Sequence, residues 1–144
     1  MSRIFKVLQN YAKFTGRASR FEFWTFAIFF GIVTTLAHWL DKMGGNDMAV
    51  VGRFGLIELV ASLLLMLPFL SAGTRRLHDT GRTGWWLMIL YVPYLSWTVA
   101  EKGSSTEMLS LGGIIVGFFS LIILLALPGS PASNRFGPPT AANR

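Results

Sequence analysis

The sequence predicts an all-α integral membrane protein: four transmembrane helices preceded by an amphipathic interfacial helix, with both termini cytoplasmic. Three observations predict it. The 144-residue chain is 52% hydrophobic and only 14% charged, with a mean hydropathy of +0.50. Soluble domains carry about 25% charged residues, so this chain lacks the polar side chains needed to coat a water-facing globule. Four apolar stretches hold 71 residues but only one formally charged side chain, Glu58. Ten of the 13 Lys and Arg residues fall in segments that four spans place on one side of a bilayer. The same composition excludes intrinsic disorder, because apolar content is high and charge is low. A cysteine count of 0 excludes disulfide scaffolds, thiolate zinc sites and cysteine nucleophiles.

Residues 1–22 form a cytoplasmic N-terminal segment. Wound at about 100° per residue, Ile4, Phe5, Val7, Leu8, Tyr11, Ala12 and Phe14 fill one half of a helix, and Lys6, Gln9, Asn10 and Lys13 the other. Such a helix lays its apolar face at the acyl boundary and turns its lysines to anionic headgroups. The alternative is an amphipathic helix docked on the protein's own loops. A cleaved signal peptide is not expected: the charged lead is long, and no small-residue cleavage pattern follows Leu40.

The transmembrane domain covers 23–128, with spans at about 23–40, 56–73, 85–100 and 109–127. At roughly 1.5 Å per residue these reach about 24–29 Å, close to the hydrocarbon thickness of roughly 30 Å. Helices are the open-chain solution, because lipid offers no partner to backbone N–H and C=O groups. Gly44-Gly45-Asn46-Asp47 marks an outer loop and Gly103-Ser104-Ser105 a turn, while 129–144 reads as an irregular cytoplasmic tail. Pro68 and Pro93 each free a helical carbonyl, of Leu64 and Ile89, and bend spans 2 and 3. That bend implies either ordinary helix packing or a small cavity. Gly113 and Gly117, with Ser120 nearby, make a small-residue face for close helix approach, either within the chain or in a homo-oligomer. Trp24, Trp39, Trp85, Trp86 and Trp97 lie mostly near span ends, where aromatic belts form.

Orientation follows from the cations. Arg3, Lys6, Lys13, Arg17, Arg20, Arg75, Arg76, Arg82, Arg135 and Arg144 fall on one side, against Lys42, Arg53 and Lys102 on the other. The positive-inside rule places the larger group in the cytoplasm. Asp41, Asp47, Glu101 and Glu107 fall on the outer side.

Two polar groupings are candidate sites. His38 and Glu58 occupy similar depth near the outer ends of spans 1 and 2, as a structural pair or as a proton or cation site. On the inner face, Gly16-Arg17-Ala18-Ser19-Arg20-Phe21-Glu22-Phe23-Trp24 enters span 1, and Arg75-Arg76-Leu77-His78-Asp79-Thr80-Gly81-Arg82-Thr83-Gly84-Trp85-Trp86 links spans 2 and 3. These two strings resemble the signatures of the DUF805 family (domain of unknown function 805), a bacterial inner-membrane family of unknown function, over about Phe5 to Pro138. Gly129, Asn134, Arg135, Phe136, Gly137 and Pro138 resemble the family's closing string, with Ala132 where a second glycine is usual and Pro139 where a polar residue often follows. The resemblance implies a multi-pass protein of the bacterial inner (plasma) membrane, with no reaction, ligand or cofactor attached to it.

Physically, the inner-face residues Arg17, Arg20, Glu22, Arg75, Arg76, His78, Asp79 and Arg82 admit three uses. Glu22 can pair with Arg75 or Arg76, and Asp79 with Arg17 or Arg20, tying the two strings together. The arginines can instead hold a phosphate, through forked bonds to its oxygens. Or they set topology and touch bulk lipid. Metal phosphohydrolase and phosphatidyltransferase sites need more histidines or aspartates than this face has, and no Gly-x-Ser-x-Gly or zincin string occurs. The expected protein is therefore a non-enzymatic membrane module, scaffold or accessory protein, with no cofactor or metal. Its Arg-rich cytoplasmic face binds anionic lipid or a membrane protein partner. A small transporter or channel component using kinked helices 2 and 3 is the alternative. The sequence pI of 10.3 does not imply nucleic acid, because membrane topology accounts for the basic excess.

Overall fold

The structure, a computed structural model, describes residues 3–44 and 54–141. Asp47, Arg53, Arg144 and most of the expected outer loop at 44–47 lie outside the described residues. The described chain is all-helical: α1 (Arg3–Gln9), α2 (Arg20–Met43), α3 (Leu56–Asp79), a 3-10 turn (Gly84–Leu87), α4 (Met88–Val99) and α5 (Ser105–Ala126). Among the described residues, α2, α3 and α5 are long and apolar enough to cross a membrane. The third apolar stretch divides into the 4-residue 3-10 turn and the 12-residue α4.

Helix ends depart from the apolar stretches for physical reasons. Hydropathy marks what lipid can cover, whereas a helix continues wherever its side chains find partners, so α3 runs through Arg75, Arg76 and His78 to Asp79. Helix α5 begins at Ser105, four residues before the apolar run, because Ser104 caps it. The Glu107 N–H donates to Ser104 Oγ at 3.1 Å, and Glu107 Oε2 accepts from the Gly103 N–H at 2.5 Å. Ser104 thus satisfies an N–H group that a helix start otherwise leaves open, and the Glu107 carboxylate reaches back past the cap to hold the turn before it.

The chain forms two compact units, Met1–Phe14 with Phe21–Ala72, and Thr15–Arg20 with Gly73–Arg144. In the first, Val7, Phe23 and Phe26 are buried, and Phe69 packs against the rings of Phe23 and Phe30. Segment 4–14, expected as an interfacial helix, is helical only through Gln9 in the structure, and its Lys6 Nζ lies 3.0 Å from Glu22 Oε2. Pro68 removes the N–H that would have bonded the Leu64 carbonyl, and the Tyr11 hydroxyl donates to that carbonyl instead, at 2.6 Å. Tyr11→Phe is expected to cost about 1 kcal/mol of thermal stability in detergent. In a Pro68→Ala background, where the backbone supplies the bond, the same change should cost nothing.

In the second unit α4 lies along α5. A Cβ placed at Gly117 would sit 2.5 Å from the Ile89 carbonyl oxygen, and one at Gly113 would sit 3.0 Å from the Pro93 ring. The two glycines therefore face α4 of the same chain, and Gly117 covers the carbonyl that Pro93 leaves without its helical partner. Ser110 Oγ donates to Ser96 Oγ at 3.0 Å, adding a polar tie between the two helices.

Candidate functional site

The second unit gathers three separated strings into one buried junction. Its centre is Asp79, in the last turn of α3, with a side chain wholly shielded from solvent. A buried carboxylate is costly unless paired and hydrogen-bonded. Asp79 Oδ1 accepts from Arg17 Nε at 2.7 Å, and Oδ2 from Arg76 Nη1 at 2.6 Å. One aspartate thus holds two guanidinium groups, one on each oxygen.

Each arginine spends its remaining donors on backbone. Arg17 Nη1 donates to the carbonyls of Ala132 (2.9 Å) and Gly137 (3.4 Å), and Nη2 to those of Ser130 and Asp79. A guanidinium carries five N–H groups, and the Arg17 group meets five acceptors inside the protein. Arg76 Nε donates to the Leu125 carbonyl at 2.9 Å and Nη2 to the Leu127 carbonyl. These carbonyls lie at the end of α5, where helical partners run out, so Arg76 caps that helix.

The strings around this centre are held by local geometry. Helix α3 ends in a Schellman motif: the Gly81 N–H donates to the His78 carbonyl, the Arg82 N–H to the Leu77 carbonyl, and Gly81 has φ +79°. The Ala18 N–H donates to the Arg75 carbonyl at 2.9 Å, with Ala18 fully buried. His78 Nδ1 lies 3.2 Å from the Gly16 carbonyl and donates to it in the Nδ1-protonated state. The tail docks through Ser130 N–H to the Asp79 carbonyl (2.9 Å), Asn134 Nδ2 to the His78 carbonyl (2.9 Å) and the Phe136 ring stacked on His78, centroids 3.8 Å apart. Asn134 also closes its own turn, accepting from the Phe136 N–H and bridging to Gly137.

The residues that the sequence places on an expected inner face therefore separate. Arg17, Arg76, His78 and Asp79 meet in the junction, and Arg75 joins it through its carbonyl, with a buried side chain. Arg20 is exposed and Arg82 half-buried. Glu22 is buried in the first unit and takes Lys6. In that unit too, His38 Nδ1 lies 2.9 Å from Glu58 Oε2. Beside them Asp41, which the sequence marks only as an outer-side acid, accepts from the N–H groups of Ile57 (3.1 Å) and Glu58 (2.8 Å) and so caps the start of α3. Sequence offered one signal for that cap, an aspartate of α2 sharing the depth of the α3 start.

The family described as "Protein of unknown function (DUF805)" matches residues 11–138. Among curated proteins the chain is 34% identical over 133 residues to the inner membrane protein YhaH of Escherichia coli (strain K12), covering 92% of this chain and 91% of that one. It is 29% identical over 131 residues to the inner membrane protein YhaI of the same strain, covering 91% and 88%. No solved structure matches the chain.

Proposed function

The chain belongs to the DUF805 family, and from that premise we propose that it is a non-enzymatic multi-pass module of the inner membrane whose basic cytoplasmic face engages anionic lipid. The observation that carries this reading is the internal use of Arg17 and Arg76. Their donors, together with Asp79, tie strings from both ends of the chain into a support. A reaction centre or soluble-phosphate site needs polar groups aimed at a ligand, and these point at the protein's own carbonyls. Their function is then to order the surface that carries the exposed Arg20 and Arg135 and the half-buried Arg82.

The module crosses the bilayer four times in this account, with both termini cytoplasmic. The 3-10 turn rises about 2 Å per residue and α4 about 1.5 Å, so Gly84–Leu87 and Met88–Val99 together reach about 26 Å, enough for a slightly thinned bilayer. The cysteine-free sequence makes the test direct. Single cysteines at Lys13, Arg82 and Ser133 should react with a membrane-impermeant maleimide only after the inner membrane is opened, and one at Lys102 should react in intact spheroplasts. Labelling of Lys13→Cys and Arg82→Cys from opposite sides would contradict the topology.

A further inference from the structure

We propose that the turn closing α3 carries a specific site for the phosphodiester headgroup of an anionic phospholipid, formed by Arg82 and Arg135; this rests on the lipid-binding module proposed above. At the junction end of the second unit the described residues include six arginines, Arg17, Arg20, Arg75, Arg76, Arg82 and Arg135, and one acid, Asp79. Asp79 is wholly buried and already holds two of those arginines. The unit's other acids, Glu101 and Glu107, precede or begin α5, about 30 Å along that helix from the junction. Among the described residues of the unit, the exposed charges at the junction end are therefore all positive.

Two of its cations belong to one turn, Arg82 by sequence and Arg135 by a hydrogen bond to its backbone. Arg82 directly follows Gly81 in the Schellman turn, and Arg135 Nη2 donates to the Gly81 carbonyl at 3.4 Å. The Arg135 guanidinium also lies over the Phe136 ring, 4.7 Å from its centroid, and that ring is stacked on His78. Arg135 is thus held against a fixed support before any ligand arrives, which lowers the ordering cost of binding. Forked guanidinium donors match phosphate oxygens.

Neighbouring residues select a lipid over a soluble anion. Trp85 and Trp86 follow Arg82 at the start of the 3-10 turn and are 79% and 46% exposed. Exposed indoles settle at the headgroup level of a bilayer, which sets Arg82 at the depth of the lipid phosphates. A soluble phosphate would gain nothing from them.

The test is native mass spectrometry of the full chain released from vesicles of equal parts phosphatidylcholine and phosphatidylglycerol. The wild type should retain phosphatidylglycerol preferentially. Arg82→Gln with Arg135→Gln should bind it about thirtyfold more weakly, and either single change about fivefold. Arg82→Lys with Arg135→Lys, which keeps charge but not the fork, should fall between. Unaltered thermal unfolding of the glutamine variants checks that the support is intact. A wild type without preference for phosphatidylglycerol would contradict the lipid-binding module itself. A preference that survives undiminished in the double glutamine variant would overturn only the site at Arg82 and Arg135.

Discussion

Asp79→Asn is expected to destabilise the protein by about 3–5 kcal/mol, the cost of leaving a buried ion pair without one partner. The asparagine is nearly isosteric, so the loss comes from charge rather than shape. It leaves the Arg17 and Arg76 guanidiniums, both nearly or wholly buried, without the carboxylate that balances them. Domain stabilities are about 5–15 kcal/mol in total, so thermal unfolding in detergent should show a large drop. The tail should also become a protease substrate, because Arg17 holds Ser130, Ala132 and Gly137 by their carbonyls and is itself placed by Asp79.

Gly117→Val is the second change with a large expected effect. The Cβ it adds would meet the Ile89 carbonyl oxygen at 2.5 Å and Leu90 Cα at 3.2 Å. Both are backbone atoms, which cannot rotate away as a side-chain tip can. Helices α4 and α5 must separate, at the about 1–3 kcal/mol typical of overpacking, and the Ser96–Ser110 bond stretches with them. Gly112→Val supplies the control: its Cβ meets nothing within 4 Å, so its thermal unfolding should stay close to wild type. Equal losses for the two variants would contradict the close packing of α4 on α5.

Much of this arrangement can be read from residue types. Segregated charge marks the apolar stretches, since a bilayer tolerates so few ions, and the paired strings around Arg17 and Arg75–Asp79 signal a shared compartment. The sequence offers Arg17 as one partner for Asp79 and expects His38 and Glu58 at similar depth, and both pairs are present. What residue types do not show is where an arginine's other donors go. Arg17 and Arg76 bond mostly to backbone carbonyls, and every residue has a carbonyl, so the acceptor leaves no mark in the sequence. The Tyr11 bond to Leu64 is hidden for the same reason, although Pro68 marks which carbonyl needs a donor. The glycine face likewise does not name its partner in the sequence, and it is the close approach of Gly117 to the Ile89 carbonyl that identifies α4. By contrast, the early start of α5 was written in Ser104 and Glu107, a spacing masked by the stronger apolar signal after them.

The strings carrying Arg17 and Asp79 meet in a buried structural junction. A double-mutant cycle between Arg17→Ala and Asp79→Ala, followed by thermal unfolding of the full chain in detergent, tests it most directly. Because each single change strands a buried partner, the double variant should be less destabilised than the sum of the singles, with a coupling of about 2–3 kcal/mol. Additivity within about 0.5 kcal/mol would mean that the two side chains do not meet and that no such junction exists.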